Sequence, residues 1–134
     1  MKLQSIRIIT EDIRRLVAFY ERVTGLTATW FTPEFAEITT PTGTLAFSQL
    51  ATMQRFQPGA AARAAANHSV ILELRVTDVD ADFARLADAI GEPAQRPTTM
   101  PWGNRSLLFR DPDGNLINLF TPVTPQAIAK FDRA

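Results

Sequence analysis

Few side chains in this chain can do chemistry, and their types narrow what the chemistry is. The 134 residues include no cysteine and one histidine, His68. That excludes a disulfide framework, zinc ribbons, thiolate catalysis and any site needing two imidazoles from one chain. Carboxylates, guanidinia and aromatic rings remain. Glu73 stands between Ile71 and Arg75 in a β-branched stretch, and strand alternation sends all three side chains to one face. A carboxylate held there can act as a general base, anchor a ligand, or form an internal ion pair with Arg7 or Arg75. All three readings stay open. His68 precedes that strand and reads more simply as a surface or capping residue than as a metal ligand. Arg110 beside Asp111 reads as a solvated pair. Trp102, between Pro101 and Gly103, is poorly explained by periodic core packing. It suits either stacking on a planar ligand or packing at a rim.

The elements that must position these residues follow from periodicity. Lys2 to Thr10 reads as a strand, and Ile13, Leu16, Val17, Tyr20 and Val23 form a helical stripe that Gly25 ends. Strands are expected at about 27–32, 35–39 and 44–48. The second half repeats the order: a strand over Val70 to Val76, Asp78 before a helix with stripe Val79, Phe83, Leu86 and Ile90, then Gly91. Asp12 to Asp78 and Gly25 to Gly91 are both offsets of 66 residues, which marks an internal duplication. Pro41-Thr42-Gly43 and Pro112-Asp113-Gly114 match at 71 instead, so an insertion of about five residues is expected inside the second unit. Ser106 to Phe109 and a last strand ending at Phe120 complete it. The connector at about 49–67 is expected to hold at most one helical turn, and Thr124-Pro125 opens a short terminal helix over about 124–132.

The fold class is therefore α+β: two βαβββ modules, at about 1–50 and 68–121, forming one domain with a curved mixed sheet around a central cavity. Parity turns Ser5, Arg7, Ile71, Glu73, Arg75, Leu108, Asn118 and Phe120 to the cavity, and the offset of 71 adds Phe47 as the counterpart of Asn118. With 14 basic and 14 acidic residues the net charge is zero, so neither nucleic acid nor a membrane surface is expected as a partner. No targeting or membrane-spanning segment is read, and a cytoplasmic protein is expected.

Three stretches carry a resemblance: the Phe19-Tyr20 pair on the first helix, Val76 to Ala81 before the second, and above all Phe109-Arg110-Asp111-Pro112-Asp113-Gly114-Asn115. Joined to the 66-residue repeat, they resemble the glyoxalase/bleomycin-resistance/dioxygenase superfamily, also called vicinal oxygen chelate. In its metal-dependent members a divalent ion is held by His, Gln or Glu on the first and last strands of each module. The resemblance maps those positions onto Ser5, Phe47, Ile71 and Asn118, a set without carboxylate or imidazole. No metal or other cofactor is therefore expected. The leading expectation is a metal-independent binding protein of the sequestration or resistance type. Its largely apolar or aromatic small-molecule ligand would meet Phe47, Ile71, Leu108, Phe120, Trp30 and Trp102, oriented by Ser5, Arg7, Glu73, Arg75 and Asn118. The alternative is a lyase, isomerase or oxygenase with Glu73 as catalytic base, or with a divalent metal on unassigned ligands. An interaction module with a filled cavity is the third reading. The resemblance also implies a homodimer.

Overall fold

The computed structural model describes residues 1–56, 59 and 61–132. Its first strand, β1 (Ser5–Thr10), leads into helix α1 (Ile13–Thr24) and strands β2 (Thr29–Thr32), β3 (Phe35–Thr39) and β4 (Thr44–Gln49), then helix α2 (Leu50–Phe56). The order repeats as β5 (Ile71–Arg75), α3 (Val79–Ile90), β6 (Gln95–Thr99), β7 (Asn104–Arg110), β8 (Leu116–Pro122) and α4 (Pro125–Asp132). Two compact units result: Met1–Asn67 with Pro112–Gly114, and His68–Asp111 with Asn115–Ala134.

Both units are wound alike because both carry the same stop and start signals. Asp12 accepts the Arg15 amide at 3.2 Å and Asp78 the Ala81 amide at 3.1 Å, each capping its helix. All five stripe residues of α1 are buried, and on α3 Val79 and Leu86 are. Each unit has a four-stranded mixed sheet, ordered β1-β4-β3-β2 and β5-β8-β7-β6, with the first strand parallel to the last and the other pairs antiparallel.

The pairing register corrects one expectation. Ser5 lies opposite Thr44 and Ile71 opposite Leu116, so with Ser5 matched to Ile71 the last strands match at an offset of 72, not the 71 of the turns. The added residue is Asn115. Asp111 grips it, accepting its backbone N–H at 2.9 Å and its side-chain amide at 2.8 Å, while Gly114 supplies the positive φ of 86° that the turn requires. One residue of slip exchanges the two faces of a strand. Phe47 is therefore the counterpart of Leu119, and Ala46 that of Asn118. Phe47 is fully buried, 5.2 Å from the Tyr20 ring of α1, so it is core and not a residue of the opposite face.

Other elements differ from the sequence pattern. No periodicity marked β6, whose Gln-Arg-Pro-Thr-Thr run is polar. Pro97 is tolerated because β6 is an edge strand with a register shift between Gln95 and Thr98. The connector is helical earlier and longer than expected, over Leu50–Phe56, while residues 61–66 form turns and bends. Glu34, in the β2–β3 turn, holds α2 by accepting from Thr52 at 2.6 Å and pairing with Arg55. Gln57, Pro58 and Ala60 of the expected connector lie outside the described residues.

Candidate functional site

In the second unit Leu72, Leu107, Phe109, Ile117 and Leu119 are buried on the α3 side of the sheet. Alternation leaves Ile71, Glu73 and Arg75 of β5, Leu116, Asn118 and Phe120 of β8, and Leu108 of β7 on the other, open side. Glu73 lies opposite Asn118, and Asn118 opposite Leu108. The Asn118 amide donates to Glu73 Oε2 at 2.8 Å. That bond decides the amide's orientation, because only its nitrogen can give a proton to a carboxylate. Asn118 Oδ1 is left buried without a hydrogen-bond partner among the described residues. Glu73 is exposed, and Asn118 is 8% exposed. The centre of the face is thus an oriented carboxylate beside a buried amide, with the half-buried Leu108 and the 48% exposed Ile71 as apolar flanks. Such a centre can accept a hydrogen bond from a ligand or a proton from a substrate.

The Glu73 partner is an amide, so of the three readings the internal ion pair with Arg7 or Arg75 gives way to a neutral donor. Arg75 turns elsewhere: its Nη1 donates to the Phe131 carbonyl at 3.1 Å and its guanidinium lies 5.5 Å over the Phe131 ring. Phe120 is buried, 5.2 Å from that ring. These contacts with α4 were not legible in advance. The signal available was only that Phe131 ends a short amphipathic helix.

In the first unit Ser5 and Arg7 are exposed on β1, and Arg7 lies opposite Ala46. Trp30 pairs with Ala36, which pairs with Phe47, so Trp30 shares the α1 side of the sheet. That sets it on the opposite face from Ser5 and Arg7, with which the sequence groups it as a ligand contact for its aromatic ring and not for any strand parity. Trp102 is 64% exposed at the tip of a tight turn, and His68 is exposed ahead of β5. Two carboxylates are held below their usual range. Arg55, followed by Thr52, lowers Glu34 through side-chain hydrogen bonds, and the Arg105 guanidinium, with Nε at 2.8 Å, lowers Asp80. Both are part-exposed structural pairs, the first tying α2 to the β2–β3 turn and the second joining β7 to α3.

A duplicated βαβββ unit with the Asp-Pro-Asp-Gly-Asn turn defines a class of fold, and the comparisons with known proteins define the family. The model of the Glyoxalase/Bleomycin resistance protein/Dioxygenase superfamily matches residues 2–119, and the chain belongs to that superfamily. A glyoxalase/bleomycin resistance protein/dioxygenase family enzyme from Burkholderia phytofirmans PsJN is similar, with a TM-score of 0.81 and 19% identity over 92% of this chain and 100% of that one. A glyoxalase/bleomycin resistance protein/dioxygenase from Nocardioides gives 0.76 and 23%, over 93% and 85%. The uncharacterized protein YraH of Bacillus subtilis (strain 168) is 28% identical over 125 residues, covering 90% of this chain and 98% of its own. At these identities the solved structures speak to the fold alone.

The divalent ion of the family's metal-dependent members can be tested against the residues present. With the register corrected, the four positions hold Ser5 and Ala46 in the first unit and Ile71 and Asn118 in the second. One hydroxyl and one amide are neutral oxygens, and Ala and Ile contribute no donor. Nothing in the set offsets dehydration of a dication. The donor set does not fit the ion. Among the described residues, no three of His, Cys, Asp or Glu come together.

Proposed function

We propose that this superfamily member binds a largely apolar organic small molecule on the open face of its second sheet, around Glu73 and Asn118, without the family's metal. The observation that carries this is the 2.8 Å amide–carboxylate bond set beside Leu108 and Ile71: a single fixed polar centre on apolar surface, the usual composition of a small-molecule site. Trp102, exposed on the same unit, offers a ring for stacking. A homodimer belongs to the same proposal. Each sheet is open, and edge strands in stable proteins are paired or covered. The second reading, an enzyme with Glu73 as base, is favoured by the same exposed carboxylate, whose Oε2 is oriented by the Asn118 amide.

The test is equilibrium binding of a panel of aromatic compounds to purified protein, with product analysis of each bound compound. Binding that weakens about tenfold or more in Glu73→Ala and Asn118→Leu supports the site, since a hydrogen bond to a charged group is worth about 1.5–3 kcal/mol. Recovery of each compound unchanged supports binding over catalysis, and conversion lost in Glu73→Ala supports the enzyme. Stoichiometric, tight uptake of Ni(II), Zn(II), Fe(II) or Mn(II) overturns the metal-free reading.

A further inference from the structure

Helix α4 is fastened to the second unit at both ends. At its start, the Gly103 carbonyl accepts the Val123 and Thr124 amides at 2.9 and 3.3 Å. The approach is so close that a Cβ on Gly103 would stand 2.1 Å from Thr124 Oγ1. At its end, Phe131 packs on Phe120. Between these attachments lies a cleft of about 420 Å³ whose lining includes Arg75, Thr77, Thr121, Ile128, Phe131 and Asp132. That volume falls within the roughly 300–1,000 Å³ of small-molecule sites.

The charges around the cleft are unbalanced. Arg75 lies 5.5 Å and the Lys130 ammonium 5.1 Å from the centre of the one Phe131 ring. Among the described residues neither cation has a carboxylate within ion-pairing distance, although Asp132 lines the same cleft. Two cations gathered on one ring repel each other, and among the described residues the cleft lining sets one carboxylate, Asp132, against them. Among the described residues the Arg75 acceptor is the Phe131 carbonyl, met by Nη1. A guanidinium with donors to spare, fixed in orientation by a ring beneath it, suits bidentate capture of a carboxylate. The Thr121 hydroxyl is consumed, accepting from Val79 and donating to Val76, each at 3.0 Å. The Thr77 hydroxyl has no partner among the described residues. Pro122, Ile128 and Phe131 form an apolar wall.

We propose that this cleft is a second binding site, specific for a small organic carboxylate: Arg75 grips the carboxylate and the body of the ligand lies against Ile128 and Phe131. The site lies past the end of the Glu73 face and does not depend on that face binding anything.

Calorimetric titration at low salt with benzoate, benzyl alcohol and inorganic phosphate tests it. Benzoate is expected to bind one per chain, with benzyl alcohol and phosphate about tenfold weaker or more, because each lacks either the charge or the apolar body. Arg75→Ala should weaken benzoate about tenfold and remove its salt dependence, Arg75→Lys should recover part of the affinity, and Ile128→Asp should abolish binding. Both wild-type positions are exposed at the cleft, and circular dichroism checks that the variants fold. Glu73→Ala should bind benzoate as the wild type does. Absence of benzoate binding, equal affinity for benzyl alcohol, or unchanged affinity in Arg75→Ala overturns the proposal, and phosphate binding as tight as benzoate overturns its specificity for organic carboxylates. Benzoate affinity lost in Glu73→Ala and kept in Arg75→Ala places the ligand on the Glu73 face, which sinks this cleft while sparing the proposed function.

Discussion

The two units share one register and carry different chemistry on it. Where the second places Glu73, Asn118 and Leu108 side by side across β5, β8 and β7, the first places Arg7, Ala46 and Glu37 across β1, β4 and β3. Asn118 gives its neighbour a hydrogen bond. Ala46 has nothing to give: it stands between Arg7 and Glu37, and no ion pair joins those two among the described residues. The helices that follow the last strands differ likewise, α2 being tied by the half-buried Glu34 and α4 by the Phe131 ring. Duplicating a backbone thus copies the positions of a site without copying the site. What makes the second face a centre is one amide able to orient one carboxylate.

The largest effect that could break this comparison lies in the core. If Phe47 and Leu119 are true counterparts, Phe47→Ala should cost about 3–5 kcal/mol and Leu119→Ala about 2–5 kcal/mol. Urea denaturation measures both. A Phe47→Ala variant as stable as the wild type would return Phe47 to the opposite face and undo the offset of 72. A smaller effect separates Asn118 from Ala46. Asn118→Leu removes a buried acceptor that has no donor among the described residues along with the bond to Glu73, an exposed carboxylate that water can solvate instead, so the two effects offset and stability should stay within about 1 kcal/mol of wild type even as ligand affinity falls. Ala46→Asn puts an amide at a position 3% exposed beside a guanidinium instead of a carboxylate. It should destabilise by about 1–3 kcal/mol, and tolerance of it would mean that the two faces are closer in character than their sequences suggest.

The smallest effect concerns α2. The Arg55 guanidinium lowers the Glu34 pKa in the folded state, so the tie is complete above the ordinary carboxylate range and is lost as pH falls through the lowered value. Amide NMR shifts of residues 50–56 should titrate together at acid pH, below the range of a free glutamate. In Arg55→Gln the midpoint should return toward that range. Exposed pairs contribute little to global stability, so the unfolding midpoint should barely move.

Much of this architecture was legible in the residues. The Asp12 and Asp78 caps and the alternation of hydrophobic residues located most elements, because these signals act within a few residues of one another. β6 was not legible, since its pairing with β7 supplies what its polar, proline-containing run lacks. Of the candidate site, Glu73, Asn118, Ile71 and Leu108 were read correctly as sharing a face. Phe47 was misplaced by a slip of one residue, Trp30 was counted as a ligand contact with no signal for its face, and the part played by α4 was unread because nothing local connects Phe131 with Arg75 or Phe120.

By itself the sequence determined the duplicated unit, the identity of the Asp111–Asn115 turn and the shortage of metal-binding side chains, all of which depend on composition and short-range order. Only the tertiary structure decided which residues face one another: that Asn118 and no arginine holds Glu73, that Ala46 and not Phe47 is its counterpart, and that Arg75 and Lys130 meet on one ring. Those outcomes depend on strand register and helix docking. Both are set by the fit of whole surfaces over tens of residues, which no local pattern encodes.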